Sequence, residues 1–459
     1  MDRAKMMGQE KIGKLLIRFS VPAMIGMVVN ASYNIVDRIY IGRGVGKLGI
    51  AGVTIGFPFV LVMMAIGMMI GLGTATLVSI RLGEKKKVLA EHIMANGTTM
   101  LLIFSSVITV VGLIFLDSML DFLGASPEVM PYASEYMQII FAGSIFFMVS
   151  FSMNNFIRAE GNPKVAMITM IIAAGLNIIL DPIFIFALNM GIRGAAIATV
   201  LSQAVAAVWI VAYFYSGKSL LKLKKKNFRL KKTFVSKIAM IGGSAPGVMQ
   251  FVASILVFIL NKALLTHGGD IAVSAFGVVH SISMFIMMPI FGINQGSQPI
   301  IGFNYGAKNY ARVKETLKLA AYGATILVSL GFIGTRSFPE QIIGLFAGDD
   351  EELIKVGVFA LQYFLFALPI IGFQIVAANY FQAVGKPSKA MLLTLSRQVL
   401  FMIPCLLILP NYLGLKGVFI SAPISDFSAT VVTGILIYRE MKNLGKDAPR
   451  ELKLAPQFD

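Results

Sequence analysis

Apolar runs of about 20 residues recur along the whole chain, and they limit its folding more than any other feature. A helix of that length crosses the hydrocarbon core of a bilayer. In hydrocarbon every backbone N–H and C=O must be bonded within the protein, which leaves helices or closed barrels. The runs lack the two-residue alternation of barrel strands, so they predict helices. Twelve segments can be drawn: 15–41, 49–80, 92–116, 131–158, 163–188, 192–215, 236–265, 272–303, 313–335, 355–384, 388–410 and 414–438. Composition agrees, with 57% hydrophobic and 14% charged residues and a mean hydropathy of +0.79. Soluble domains carry about 25% charged residues. The opening MDRAKMMGQEKIGK has basic residues but no small-residue cleavage site, so the first segment is read as retained.

The net charge of +17 is unevenly placed. Basic residues fill alternate loops: Arg81 and Lys85 to Lys87, Arg158 and Lys164, eight between 216 and 235, Lys308, Arg312 and Lys314, Lys386 and Lys389, and the C-terminal tail. The facing loops are acidic or sparse, with Asp117, Asp121 and Glu128 in one and Asp349 to Glu352 in another. The positive-inside rule then puts both termini and the 216–235 loop in the cytoplasm, in a multi-pass protein of the cytoplasmic (inner) membrane. The basic loop is expected to be a solvated, lipid-facing linker. Nucleic acid is excluded as a partner because no binding motif or aromatic-interleaved basic surface accompanies the charge. The one cysteine, Cys405, rules out an internal disulfide. His92, His267 and His280 have no metal-ligand spacing, and no P-loop, HExxH or Ser/His/Asp arrangement occurs, so an enzyme is not expected.

The chain repeats itself. Pro22 and Pro246, Asp37 and Asn261, Asn155 and Asn379, Gly161 and Gly385, and Pro163 and Pro387 are each 224 apart. RLGEKKK at 81–87 pairs with NYGAKNY at 304–310 at an offset of 223. The expected organisation is an N-terminal six-helix lobe (1–215), a basic cytoplasmic linker (216–235), a C-terminal six-helix lobe (236–440) and a cytoplasmic tail (441–459). An even number of helices per half makes this a parallel repeat about an axis normal to the membrane, and the cleft between such halves is a usual place for substrate.

Polar residues at membrane depth mark the candidate sites, because they are costly there unless they face a cavity or one another. Asn30, Tyr33, Asn34 and Asp37 share a helix face. Asp37 reads either as a carboxylate in a transport cavity or as an interfacial residue paired with Arg38 or Arg43. Asn177 and Asp181 also share a face, and Pro182 removes a backbone donor beside Asp181. Thr199 lies in the small-residue run GAAIAT. The second half is less charged: Asn261 stands opposite Asp37, and Asp426 is its one clear buried-carboxylate candidate. That asymmetry points to cation coupling in the first half. Asn30, Tyr33, Asn34, Gln250, Ser254, Asn261, Gln295, Asn379 and Asp426 are the substrate-cavity candidates; as neutral polar groups, most of them could equally bond helix to helix.

These motifs resemble the multidrug and toxic-compound extrusion (MATE) family, in particular its DinF/MepA-like bacterial branch. The likeness rests on NIVDRIYIG, RAEGNPK, LNIILDP, GAAIAT and GSQPIIGFNYGAKN and runs from about 15 to 440. The resemblance implies an all-α polytopic fold of twelve helices in two bundles, and efflux of organic cations such as drugs and dyes by antiport with H+ or Na+ through alternating access. It implies a coupling site at Asp37, Asn177, Asp181 and Thr199, supported by Asn154, where Na+ could also bind. No cofactor beyond the coupling ion is implied, and a monomer is expected. The rival readings are a lipid-linked precursor flippase, which would need a cavity rich in Arg and Lys, and a passive channel or non-transporting receptor.

Overall fold

In the computed structural model, residues 3–347 and 350–445 are described, except for the side chains at 225, 243–251, 254 and 347. Gln250 and Ser254 therefore lie outside the described residues. The described elements are helices: α1 (Arg3–Gln9), α2 (Ile12–Gly44), α3 (Lys47–Gly83), α4 (Lys87–Ile114), α5 (Leu116–Phe122), α6 (Met130–Ala142), α7 (Ser144–Ala159), α8 (Pro163–Pro182), α9 (Gly191–Tyr215), α10 (Lys232–Gly306), α11 (Tyr310–Ser337), α12 (Pro339–Ala347), α13 (Glu351–Phe364), α14 (Leu368–Ala383), α15 (Pro387–Leu395), α16 (Ile403–Leu413) and α17 (Leu415–Asn443).

Among the described residues, nine helices or helix runs are long and apolar enough to cross a membrane, and two bent pairs, α6 with α7 and α13 with α14, make further spans. The 75 residues of α10 would reach about 110 Å at 1.5 Å per residue, far beyond the roughly 30 Å of a bilayer core. Its helix is interrupted at Gly269, where φ is 65° and ψ is −166°, a conformation that glycine adopts without a side-chain clash. Counted as two passes, α10 completes twelve. The segments expected at 236–265 and 272–303 are thus one element with a single-residue break.

The bends have local causes. The 57° bend between α6 and α7 falls at Gly143, and Thr109 of α4 donates to the carbonyl of Phe141 at 2.8 Å, satisfying an acceptor that the break releases. The 52° bend between α13 and α14 precedes Pro369, which lacks the N–H that an unbroken helix would use. After Pro182, α8 runs into a π-helical stretch, Ile183–Ala187.

The two lobes meet on the face that carries the start of α2 and the end of α17, here called the terminal face. The contact is close enough to need glycine. A Cβ on Gly83 would lie 1.9 Å from the carbonyl oxygen of Phe303, and one on Gly306 would lie 2.0 Å from that of Ile80. These approaches mirror one another, since Phe303 and Gly306 are the repeat equivalents of Ile80 and Gly83 at the offset of 223. Gly73 against Ile238, Gly296 against Ser20 and Gly292 against Met24 extend the seam inward. Residues 73–83 of α3 are all buried. Further from the terminal face, Asn30, Asn34 and Ile35 of α2 and Phe258 and Phe285 of α10 are exposed. The lobes are closed against each other at the terminal face.

The basic linker is not simply solvated. Leu221 and Leu223 are buried, and Glu160 accepts from Ser219 Oγ at 2.5 Å and from the backbone N–H groups of Leu220 and Leu221 at 3.0 and 3.2 Å. Glu91 pairs with Lys224 at 3.0 Å, and Asn96 accepts from the Lys231 N–H at 2.8 Å. Buried acceptors on the first lobe hold the linker down by its backbone, an interaction that charge counting along the sequence does not reveal.

Candidate cation site and the cleft around it

Asp37 sits on the part of α2 that packs against α8, with 9% of its surface exposed. Asp181, near the end of α8, is fully buried. The two side chains lie within hydrogen-bonding distance of each other. Asn177, one turn before Asp181, donates to Asp181 Oδ1 at 3.1 Å and toward Thr199 Oγ1 of α9 at 3.3 Å. Three buried oxygens here, Asp37 Oδ1, Asp181 Oδ2 and Asn177 Oδ1, have no hydrogen-bond donor among the described residues. Neither Arg38 nor Arg43 forms an ion pair with Asp37 among the described residues, though Arg38 is within electrostatic reach.

The spacing Asn177, Asp181 and Pro182 makes this arrangement local to α8. The i and i+4 positions put both polar groups on the face toward α2 and α9. The π-helical turns after Pro182 then loosen the backbone next to Asp181. Oxygen-rich, donor-poor and buried, the cluster can take up a cation or a proton and has little to offer an anion.

The structure brings together Asp37, Asn177, Asp181 and Thr199 but not Asn154. Asn154 donates to the Ala166 carbonyl at 2.8 Å and accepts from Arg158. Ala166 precedes Asn177 by 11 residues, about 16 Å along a helix. Asn154 is thus occupied at the terminal end of the lobe, and its expected support of the cluster is corrected on that ground. Tyr136 of α6 was not anticipated. It is buried beside the cluster, within electrostatic reach of Asp37, Tyr33 and Asp181, and no spacing within its own segment signals this.

The cavity candidates divide. Tyr33 is half-buried, while Asn30 and Asn34 are exposed and bonded to each other along α2, Asn34 Nδ2 to the Asn30 carbonyl at 2.8 Å. Asn261 is half-buried on α10. Gln295 faces α2 across the lobe seam, with its Nε2 3.7 Å from Met27 Sδ. Asn379 donates to the Asn294 carbonyl at 3.2 Å, which ties α14 to α10 inside the second lobe. Asp426 is no lone carboxylate: Arg397 Nε meets its Oδ1 at 2.8 Å. The pairing was hidden because the two residues lie on different helical elements.

The sequence matches the family model described as MatE twice, over residues 22–183 and 246–408, and together the matches cover more than half the chain. The chain belongs to the MatE family. The second match starts 224 residues after the first (246 − 22), which is the offset of the internal repeat. Among curated MatE-like relatives, the multidrug export protein MepA of Staphylococcus haemolyticus (strain JCSC1435) is 28% identical over 439 residues, 96% of each chain. MepA of Staphylococcus aureus (strain MSSA476) is 27% identical over 428 residues, 93% of each. A solved structure of the MATE multidrug transporter DinF-BH is 43% identical, with a TM-score of 0.86 over 96% of this chain and 98% of that one. An outward-facing multidrug resistance MATE transporter of the MOP superfamily is 27% identical, with a TM-score of 0.90 over 97% of this chain and 99% of that one. Membership of the MatE family makes the chain a multi-pass membrane transporter and not an enzyme, and its relatives are multidrug exporters.

Proposed function

We propose that the protein is a secondary active multidrug efflux transporter that exports organic cations in exchange for H+ or Na+ by alternating access. The observation that carries this reading is the contact between Asp37 and Asp181 inside the first lobe, with unpartnered buried oxygens around it. Two carboxylates in contact repel one another when both are ionised, and a bound proton or Na+ relieves that repulsion. Asp37, Asn177, Asp181 and Thr199 would hold the coupling ion, and the facing helices of the two lobes would receive the drug.

With the termini in the cytoplasm of the inner membrane, the closed terminal face is the cytoplasmic one, and the state is read as outward-open. In that state an external proton or Na+ enters the first lobe and lowers its affinity for the organic cation, which leaves. In the inward-open state the ion departs and the vacated negative charge favours a new cation. Each ligand must prefer a different state, since a ligand with equal affinity for both shifts nothing. The membrane-depth groups of the coupling site are acidic or neutral, which supports a cationic cargo over a pyrophosphate-linked lipid. Ethidium efflux from vesicles, with the proton and sodium gradients imposed separately, tests the reading. Efflux that follows neither gradient would end it.

A further inference from the structure

Among the described residues, Arg158 carries a buried positive charge with no negative partner. It is the last residue but one of α7 and is 8% exposed. Its guanidinium donates to the amide oxygens of Asn154 and Asn155, the second at 2.7 Å. Those acceptors satisfy N–H groups but supply no charge. The neighbouring acids are committed elsewhere. Glu160 receives Arg3 at 2.8 Å together with Tyr213 and Ser219, and Glu84 pairs with Arg81 and Lys86. No ion pair among the described residues includes Arg158. A cation withdrawn from water without a counter-charge is costly, even when it is hydrogen-bonded.

Arg158 also borders a small polar cavity at the lobe seam, shared with Ser79 and Asn155 of the first lobe and Gln295 and Gln298 of the second. The space suits a single water-sized occupant. Gln298 is 7% exposed and donates to Thr76 Oγ1 at 3.1 Å, a bond that crosses the seam. Among the described residues, the Oε1 of Gln295 has no donor, and its Nε2 meets a thioether, Met27 Sδ, at 3.7 Å. Turning that amide over costs one weak contact and offers N–H groups to an occupant.

We propose that this cavity binds one small inorganic anion of the halide class, chloride in the cell, between Arg158 and the glutamine amides of the opposite lobe. A water molecule would fill the space and leave the charge unbalanced, and among inorganic anions a monatomic halide asks least of a space this small. Because the walls come from both lobes, the site is complete only while the terminal face is closed. Halide binding therefore favours that state, and parting of the lobes releases the ion. The inference depends on Arg158 and not on the carboxylate pair.

The test is thermal unfolding of the full-length protein in detergent, titrated from sodium gluconate into sodium chloride at constant ionic strength. The unfolding midpoint should rise saturably with chloride, and bromide should replace chloride while sulfate does not. Gln298→Glu places a fixed carboxylate at the cavity and should fold with the raised midpoint and no halide dependence. Asp37→Asn should keep the halide dependence, which separates this site from the coupling site. Equal midpoints in gluconate and chloride, or a halide response that survives in Gln298→Glu, would overturn the proposal.

Discussion

Asp37 of α2 and Asp181 of α8 meet side chain to side chain inside the first lobe, with no cationic side chain bonded to either among the described residues. Such a pair is a poor device for stability. Two acids in contact gain nothing from each other as anions, and their free oxygens are buried without donors.

Replacing one acid by its amide should therefore not harm the fold. Asp181→Asn is expected to unfold at the same temperature as the wild type or higher, by an amount equivalent to about 1 kcal/mol. The wild type should gain stability from Na+ or from mild acid, whichever is the coupling ion, and the variant should gain none. Differential scanning fluorimetry across a salt and pH grid checks both statements. A large loss of stability in Asp181→Asn would mean that the carboxyl is a structural anchor.

The seam between the lobes makes a steric prediction. A Cβ at Gly306 meets the backbone of Ile80 at 2.0 Å, and backbone cannot turn aside as a side chain can. Gly306→Ala should hold the terminal face open and shift the population of states about tenfold, the effect of roughly 1.4 kcal/mol. Thiol labelling at Ser79→Cys, buried in the seam, in a Cys405→Ala background should rise from the terminal side. Gly13→Ala, where an added Cβ meets nothing within 4 Å, should leave labelling unchanged. Unaltered labelling in Gly306→Ala would show that the seam yields.

The second lobe holds a pair of the opposite kind. Arg397→Leu would leave Asp426 buried without its cation and should destabilise the protein by about 3 kcal/mol. Arg397→Leu combined with Asp426→Leu should recover most of that loss. Denaturant titrations of the single and double variants decide it, and additive losses would deny the pairing.

Much of this architecture is legible from the sequence because lipid enforces simple rules. The apolar segments, the offset of 224 and the face shared by Asn177 and Asp181 all follow from spacing along the chain. Contacts between helices do not. Arg397 opposite Asp426, and Tyr136 beside Asp37, depend on how separate helices turn toward each other, which no single periodicity encodes. Asn154 is a different case: Arg158 is four residues ahead, and the i, i+4 rule already pairs them. The straps on the linker were hidden because no spacing shows that Glu91 and Glu160 are buried and face backbone donors of the linker.

The most direct measurement records proton or sodium flux and drug flux together, in proteoliposomes carrying the wild type or Asp37→Asn. The account predicts that drug added to the wild type drives counter-movement of one of the two ions, and that Asp37→Asn, folded and inserted to the same extent, loses this exchange by tenfold or more, about 1.4 kcal/mol of coupling or above. Exchange at the wild-type rate by Asp37→Asn would contradict it.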